Sequence, residues 1–255
     1  MKHATLRATV RRSLAVVAAL GCCVATAAEL HVFAPNAVKE PLEIIVARFE
    51  KSSGHRVVLR WAGTEAITKR VGDGETADVV VNATQNIEKL TADGKLVDGS
   101  RTDFARSAIG VAIPESLPRP DIASVDGLKQ ALLAAKSVAI SSGTSGRYLL
   151  KMFDRLAIRQ QIEAKLVQPP SGAQIGEIIA RGEAELGFQQ VSELVHVPGI
   201  RYLGPLPPEI QNYTVYSAAI HRQALQPGVA KSFLGALREA EAATAIGQSG
   251  MEPVR

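Results

Sequence analysis

A chain of 255 residues with 46% apolar content is long enough for one large domain or two lobes of about 100 residues each. Its formal charge of +4 belongs to its start: the first 27 residues hold Lys2, Arg7, Arg11 and Arg12 with no Asp or Glu, which leaves 25 basic against 25 acidic residues in the remainder. That balance gives no support to nucleic-acid or membrane-surface binding. Both cysteines, Cys22 and Cys23, lie in the same segment, so its removal excludes a disulfide scaffold, a zinc-cysteine site and thiol catalysis.

Residues 1–27 read as an export signal. Basic residues precede the apolar run Leu14 to Leu20, and Ala25-Thr26-Ala27 is a small-residue cleavage site. The run is too short to span a bilayer. Arg11-Arg12 is compatible with a twin-arginine route, and Leu20-Gly21-Cys22 offers an alternative cleavage that would leave a lipid anchor on Cys22. The expectation is a periplasmic protein cleaved after Ala27.

In the processed chain, Leu30 to Phe33 predicts a strand and Lys39 to Lys51 a helix with Leu42, Ile45, Val46 and Phe49 on one face. A strand over Arg56 to Trp61 leads through Gly63-Thr64 into a second helix, and the run Asp78-Val79-Val80-Val81 reads as a strand buried on both faces. Asn82-Ala83-Thr84 opens a third helix. After an apolar run from Ser107 to Ile113 and a proline-rich connection, a second α/β series begins. It has a helix over Asp126 to Ala135, a strand at Val138-Ala139-Ile140, a helix from Tyr148, a strand near Leu166, a helix over Gln174 to Arg181 and a strand at Leu186-Gly187-Phe188. Gly204 to Pro208 reads as another connection. A strand over Thr214 to Ile220 and one amphipathic helix from Pro227 to about Ile246 close the chain. The expected assembly is α/β with two lobes, residues 28–107 plus 214–255 and residues 108–213.

Ligands in open α/β sheets sit outside the carboxyl ends of the strands. The loops predicted there carry Asn36, Thr64 and Asn82 from one lobe and Ser141, Thr144, Ser145, Arg147, Gln174 and Gln190 from the other. Ser141 to Arg147 joins a strand to a helix start, where unpaired N–H groups and the helix dipole favour an anion. Hydroxyls, amides and Arg147 there, with Lys39 nearby, suit a small anion. No metal site and no cofactor is expected.

The chain resembles the type II periplasmic solute-binding proteins, and the molybdate-binding family in particular. The resemblance rests on Val32-Phe33-Ala34, on Arg48-Phe49-Glu50-Lys51 with Gly54, on Ala77 to Val81, on Leu186-Gly187-Phe188 and on the C-terminal helix. It implies export, two lobes with a hinge, a monomer, and capture of a small anion in the interlobe cleft for delivery to an ABC transporter permease. The chain departs from the molybdate pattern at Ala37, where that family places a serine, and at Gln190, where it places a tyrosine; Thr64 keeps the second-loop hydroxyl. These departures favour an organic carboxylate over molybdate. The aconitate isomerase branch of the same fold is the alternative, an enzyme interconverting cis- and trans-aconitate. The sequence offers no evident acid–base pair for it: His31, His55, His196 and His221 lie away from the predicted cleft loops, and Lys39 and Tyr148 are the nearby candidates.

Overall fold

The computed structural model describes residues 27–254; the expected export signal, with Cys22 and Cys23, lies outside them apart from Ala27. The first series is β1 (Glu29–Pro35), α1 (Lys39–Ser53), β2 (Arg56–Ala62), α2 (Thr64–Gly72), β3 (Val79–Ala83) and α3 (Thr84–Ala92). A 13-residue strand, β4 (Thr102–Pro114), follows. The second series is α4 (Val125–Ala134), β5 (Val138–Ile140), α5 (Thr144–Arg155), α6 (Arg159–Glu163), β6 (Leu166–Val167), α7 (Ile175–Ala180), β7 (Leu186–Gln190) and β8 (Ile200–Pro205). Then come β9 (Tyr213–Ile220), α8 (Pro227–Ala236), α9 (Ala240–Gln248) and β10 (Glu252–Pro253).

Apolar spacing accounts for the layers. Leu42, Ile45, Val46 and Phe49 turn one face of α1 into the core, and Gly54 ends the helix in the left-handed region at φ 71°. Val79, Val80 and Val81 are fully buried because β3 has helices over both faces and strands on both edges, parallel to β1 and antiparallel to β9. Burying side chains of this size contributes about 1.5 to 3 kcal/mol each.

Hydrogen-bonded strands run β2-β1-β3-β9-β4-β7-β5-β6, and β4 changes partners part-way. Thr102 to Ala108 pair with β9, whereas Ile109 to Ala112 pair with β7 and Gly110 to Pro114 with β8. The cores divide at the same place. Two clusters draw only on residues up to Ala105 and from Tyr216 onward, and the other two only on residues from Ile109 to Ile210. At the changeover the Gln211 side chain acts as a strand edge: its Oε1 accepts from the Ile109 N–H at 2.9 Å and its Nε2 donates to the Ile109 carbonyl at 3.1 Å.

Three features depart from the sequence expectation. The C-terminal helix is two helices, broken at an extended Glu239, and both pieces pack into the core that also holds Phe49. A strand before the connection expected over Gly204 to Pro208 was not foreseen: β8 runs into its first two residues and pairs along β4. The short α6 and β10 carry too few apolar residues to signal themselves.

Candidate functional site

Two helix starts converge on one cavity. α2 begins behind Gly63 and α5 behind Gly143, both with extended backbone and neither with a side-chain cap, so their first N–H groups remain available. The approach is close: a Cβ on Gly63 would lie 2.1 Å from Ser171 Oγ and 2.5 Å from Gly172 N, and one on Gly146 would lie 1.6 Å from the Ser141 carbonyl oxygen. Glycine is required at both positions by packing, not by backbone angle.

The cavity between them is about 40 Å³. Thr64, Ser141, Thr144, Ser145 and Ser171 line it with hydroxyls, and Asn36, Gln189, Gln190, Tyr216 and Glu193 contribute the remaining polar side chains. Ser141 Oγ and Ser145 Oγ lie 3.0 Å apart, whereas the buried hydroxyls of Thr144 and Ser171 have no hydrogen-bond partner within the protein. Unpaired buried hydroxyls are costly unless a ligand or water meets them. With two helix dipoles behind them, these groups form a neutral donor cradle suited to an anion.

Asn36, Thr64, Ser141, Thr144, Ser145 and Gln190 are thus brought to one cavity, and three other expected site residues are not. Asn82 is turned beneath α2, where Nδ2 donates to the Thr64 carbonyl and the Thr68 hydroxyl at 3.0 Å each and Oδ1 accepts from its neighbour's N–H. Arg147 points away from the cavity and pairs with Glu65 at 2.5 Å, because Ser145 and Gly146 occupy the buried side of the first turn of α5. Gln174 lines an outer groove beside Glu193, where its amide opposes the upward shift of that carboxyl. Gln190 borders the cavity, but its amide, oriented from its partners, accepts from the Thr214 hydroxyl at 2.8 Å and donates to the carbonyls of Ser107 and Ala108 at 3.0 and 3.2 Å. It braces the changeover in β4. Tyr148 is occupied elsewhere, donating to the Ile210 carbonyl at 2.8 Å.

Glu193 and Ser171 are the residues that sequence reasoning missed. Glu193 ends the single 3-10 turn Val191–Glu193 directly after β7. Gln189, itself 2% exposed, holds it: Nε2 donates to Glu193 Oε1 at 2.8 Å, while the side-chain Oε1 of Gln189 accepts from the N–H groups of Ile175 and Gly176. Loss of water around the carboxyl pushes it up to about 8, against opposing bonds from Gln189 and Gln174. Burial, with the Glu193 charge as a smaller cause, holds the Tyr216 hydroxyl well above its ordinary range.

Beyond Glu193, Asn36 and Gly172 the cavity adjoins an outer groove of about 880 Å³, lined also by Lys39, Glu40, Glu43, Glu177, Arg181 and His196. His196 faces Glu40 across it at 2.8 Å, so this histidine does reach the cleft region. The two halves are also tied by Asn36 Nδ2 donating to the Gly172 carbonyl at 2.9 Å and Ser192 Oγ donating to the Ala37 carbonyl at 2.7 Å.

Known proteins share this architecture. The family model for bacterial extracellular solute-binding proteins matches residues 30–252. An aconitate isomerase from a Pseudomonas species is 36% identical over 231 residues, 88% of each chain. The molybdate-binding protein of Azotobacter vinelandii is 29% identical over 188 residues, 72% of this chain and 73% of that one. A solved periplasmic molybdate-binding protein from Azotobacter vinelandii superposes with a TM-score of 0.75 at 21% identity, covering 89% of this chain and 100% of the other. The chain belongs to the bacterial extracellular solute-binding protein family and has its two-lobed α/β fold, with the cavity in the cleft between the lobes.

Proposed function

We propose that this protein captures a small organic polycarboxylate of the aconitate type, with one carboxylate seated over the starts of α2 and α5 and the rest of the molecule reaching toward the outer groove. The observation that carries this reading is that the cavity and the groove share one wall, made by Asn36, Gly172 and Glu193, which a ligand occupying both would have to part. A compact tetrahedral oxyanion needs only the inner cavity, whereas a branched acid uses both, with Lys39 in the groove wall for an outer carboxylate and Arg181, paired with Glu177 and Glu183, beside it. Ala37 in the cavity wall and the engaged amide of Gln190 remove two donors that a molybdate would use. The cations of the site are therefore not those expected from the sequence, since Arg147 belongs to the cleft rim. Calorimetric titration with cis- and trans-aconitate, citrate, sulfate and molybdate tests the ligand class.

The lobes divide on this reading at residues 28–107 plus 214–255 and 108–213, the chain is exported after removal of residues 1–27, and the monomer delivers its ligand to an ABC transporter permease. A second reading is favoured by the carboxyl group of Glu193 in the cavity wall and by the likeness to an aconitate isomerase: the bound acid is isomerised by an allylic proton shift. Proton NMR of the purified protein with either aconitate tests it, because the two isomers give separate vinyl signals.

A further inference from the structure

Among the described residues that line the inner cavity there is one carboxyl group, Glu193, and no His, Lys, Arg, Cys or Asp; Tyr216 is the one other ionisable side chain. Glu193 also borders the outer groove, so it stands where a ligand filling both spaces would pass. We propose that Glu193 is the catalytic residue that takes the methylene proton of a bound aconitate and returns it at the far carbon of the allylic system, an assignment that rests on the isomerase reading above.

The placement suits that task. The carboxyl is held by the Gln189 amide at the end of β7, and Gln174 ahead of α7 lines the groove beside it. Gln189 cannot turn over without abandoning the N–H groups of Ile175 and Gly176, so it presents its NH2 group to the carboxyl and never its carbonyl. A carboxyl fixed by such bonds on a strand end keeps its position while a proton is moved.

The step balances on one residue. The methylene C–H bond breaks, its electron pair enters the allylic system, and the double bond moves by one carbon as the former double-bond pair takes a proton at the far carbon. Glu193 accepts the first proton as a carboxylate and supplies the second as a carboxylic acid, so it ends as it began. Charge developing on the ligand carboxylate is met by the N–H groups at the starts of α2 and α5.

The base form must grow with pH. The groups facing Glu193 across the cavity and the groove are Lys39, Glu40 and Glu43 of α1, Glu177 and Arg181 of α7, His196 beyond its own turn and Tyr216 of β9. With burial pushing the carboxyl up to about 8, roughly a tenth of it is ionised at pH 7.

The test uses the processed wild type, E193Q and E193D, with aconitate turnover followed by proton NMR and aconitate affinity by calorimetry. The assignment expects wild-type kcat/KM to rise from pH 6, reach half its maximum near pH 8 and level off above about pH 9. It also expects E193Q to bind within about fivefold of wild type while losing roughly 10² to 10⁴ in turnover, and E193D to fall between. E193Q turnover above about a tenth of wild type overturns the assignment. If E193Q does not fold, the wild-type profile decides: a rise supports Glu193 and a flat profile from pH 6 to 9 overturns it. Absence of turnover in the wild type defeats the isomerase reading itself, and the assignment with it.

Discussion

Replacing Glu193 by Gln makes the protein more stable as the pH rises, and the size of the effect follows from the site. Between pH 4.5 and about 8 the folded carboxyl keeps a proton that the unfolded chain releases, so wild-type stability falls as the pH rises through this window. At 1.36 kcal/mol for each pH unit, a rise from 4.5 to about 8 corresponds to at most about 5 kcal/mol. Glu193 is only partly shielded from solvent, and water reaching it from the outer groove reduces this to about 2 to 4 kcal/mol. The amide of E193Q carries no proton to lose. Urea unfolding of both proteins at pH 5, 7 and 9 should therefore show a small difference at pH 5, and a variant more stable by about 2 to 4 kcal/mol at pH 9. All other titrating groups cancel in the comparison. A difference that stays constant within about 0.5 kcal/mol from pH 5 to 9 would refute the desolvated carboxyl.

Gly63→Ala should obstruct the close approach to Ser171 and Gly172, lowering ligand affinity by about tenfold or more in calorimetry. Its melting temperature without ligand should also fall, since the added Cβ meets the Ser171 hydroxyl and the Gly172 backbone nitrogen although φ −76° is open to alanine. Arg147→Ala removes a rim pair whose side chains are 44% and 36% exposed. It should cost no more than about 1 kcal/mol in urea unfolding and leave affinity within about fivefold, and a loss of binding beyond a hundredfold would return Arg147 to the ligand site. Gln211→Ala strips both side-chain bonds from the Ile109 backbone and should cost about 1 to 3 kcal/mol of stability.

The loops of the site were legible because strand-to-helix junctions announce themselves through Gly63-Thr64 and Ser141 to Gly146. The direction of each side chain was not. Arg147 and Ser145 are two residues apart at one helix start, yet the helical turn sends one to the rim and the other inward. Asn82 lies at the end of β3, but its amide turns to the Thr64 carbonyl and the Thr68 hydroxyl, so it braces α2 instead of meeting a ligand. Glu193 carries no motif, and its position three residues beyond the Gln189-Gln190 strand end is the one signal that could have found it. Its chemistry depends on burial and on the amides of Gln189 and Gln174, the latter brought near it from 19 residues before. Ser171 lies one residue ahead of Gly172-Ala173-Gln174, a loop expected at the cleft, but the side chain drawn from that loop was Gln174; Gly172, with its positive φ of 96°, turns the chain there.

The changeover in β4 was visible as the apolar run from Ser107, whereas its braces, the side chains of Gln190 and Gln211, were not. Both pair with backbone on a strand distant in sequence, a pairing that no local pattern encodes.

The central claim is that the cavity and the groove together hold one branched organic acid. A crystal structure of the processed protein grown with trans-aconitate measures this most directly. The account predicts one carboxylate within hydrogen-bond distance of the Thr144 and Ser171 hydroxyls at the starts of α2 and α5, Glu193 beside the ligand carbons, and the remaining carboxylates directed toward Lys39 and Arg181. A ligand seated wholly outside the cavity, or a cleft that takes up only molybdate when both are offered, would contradict it.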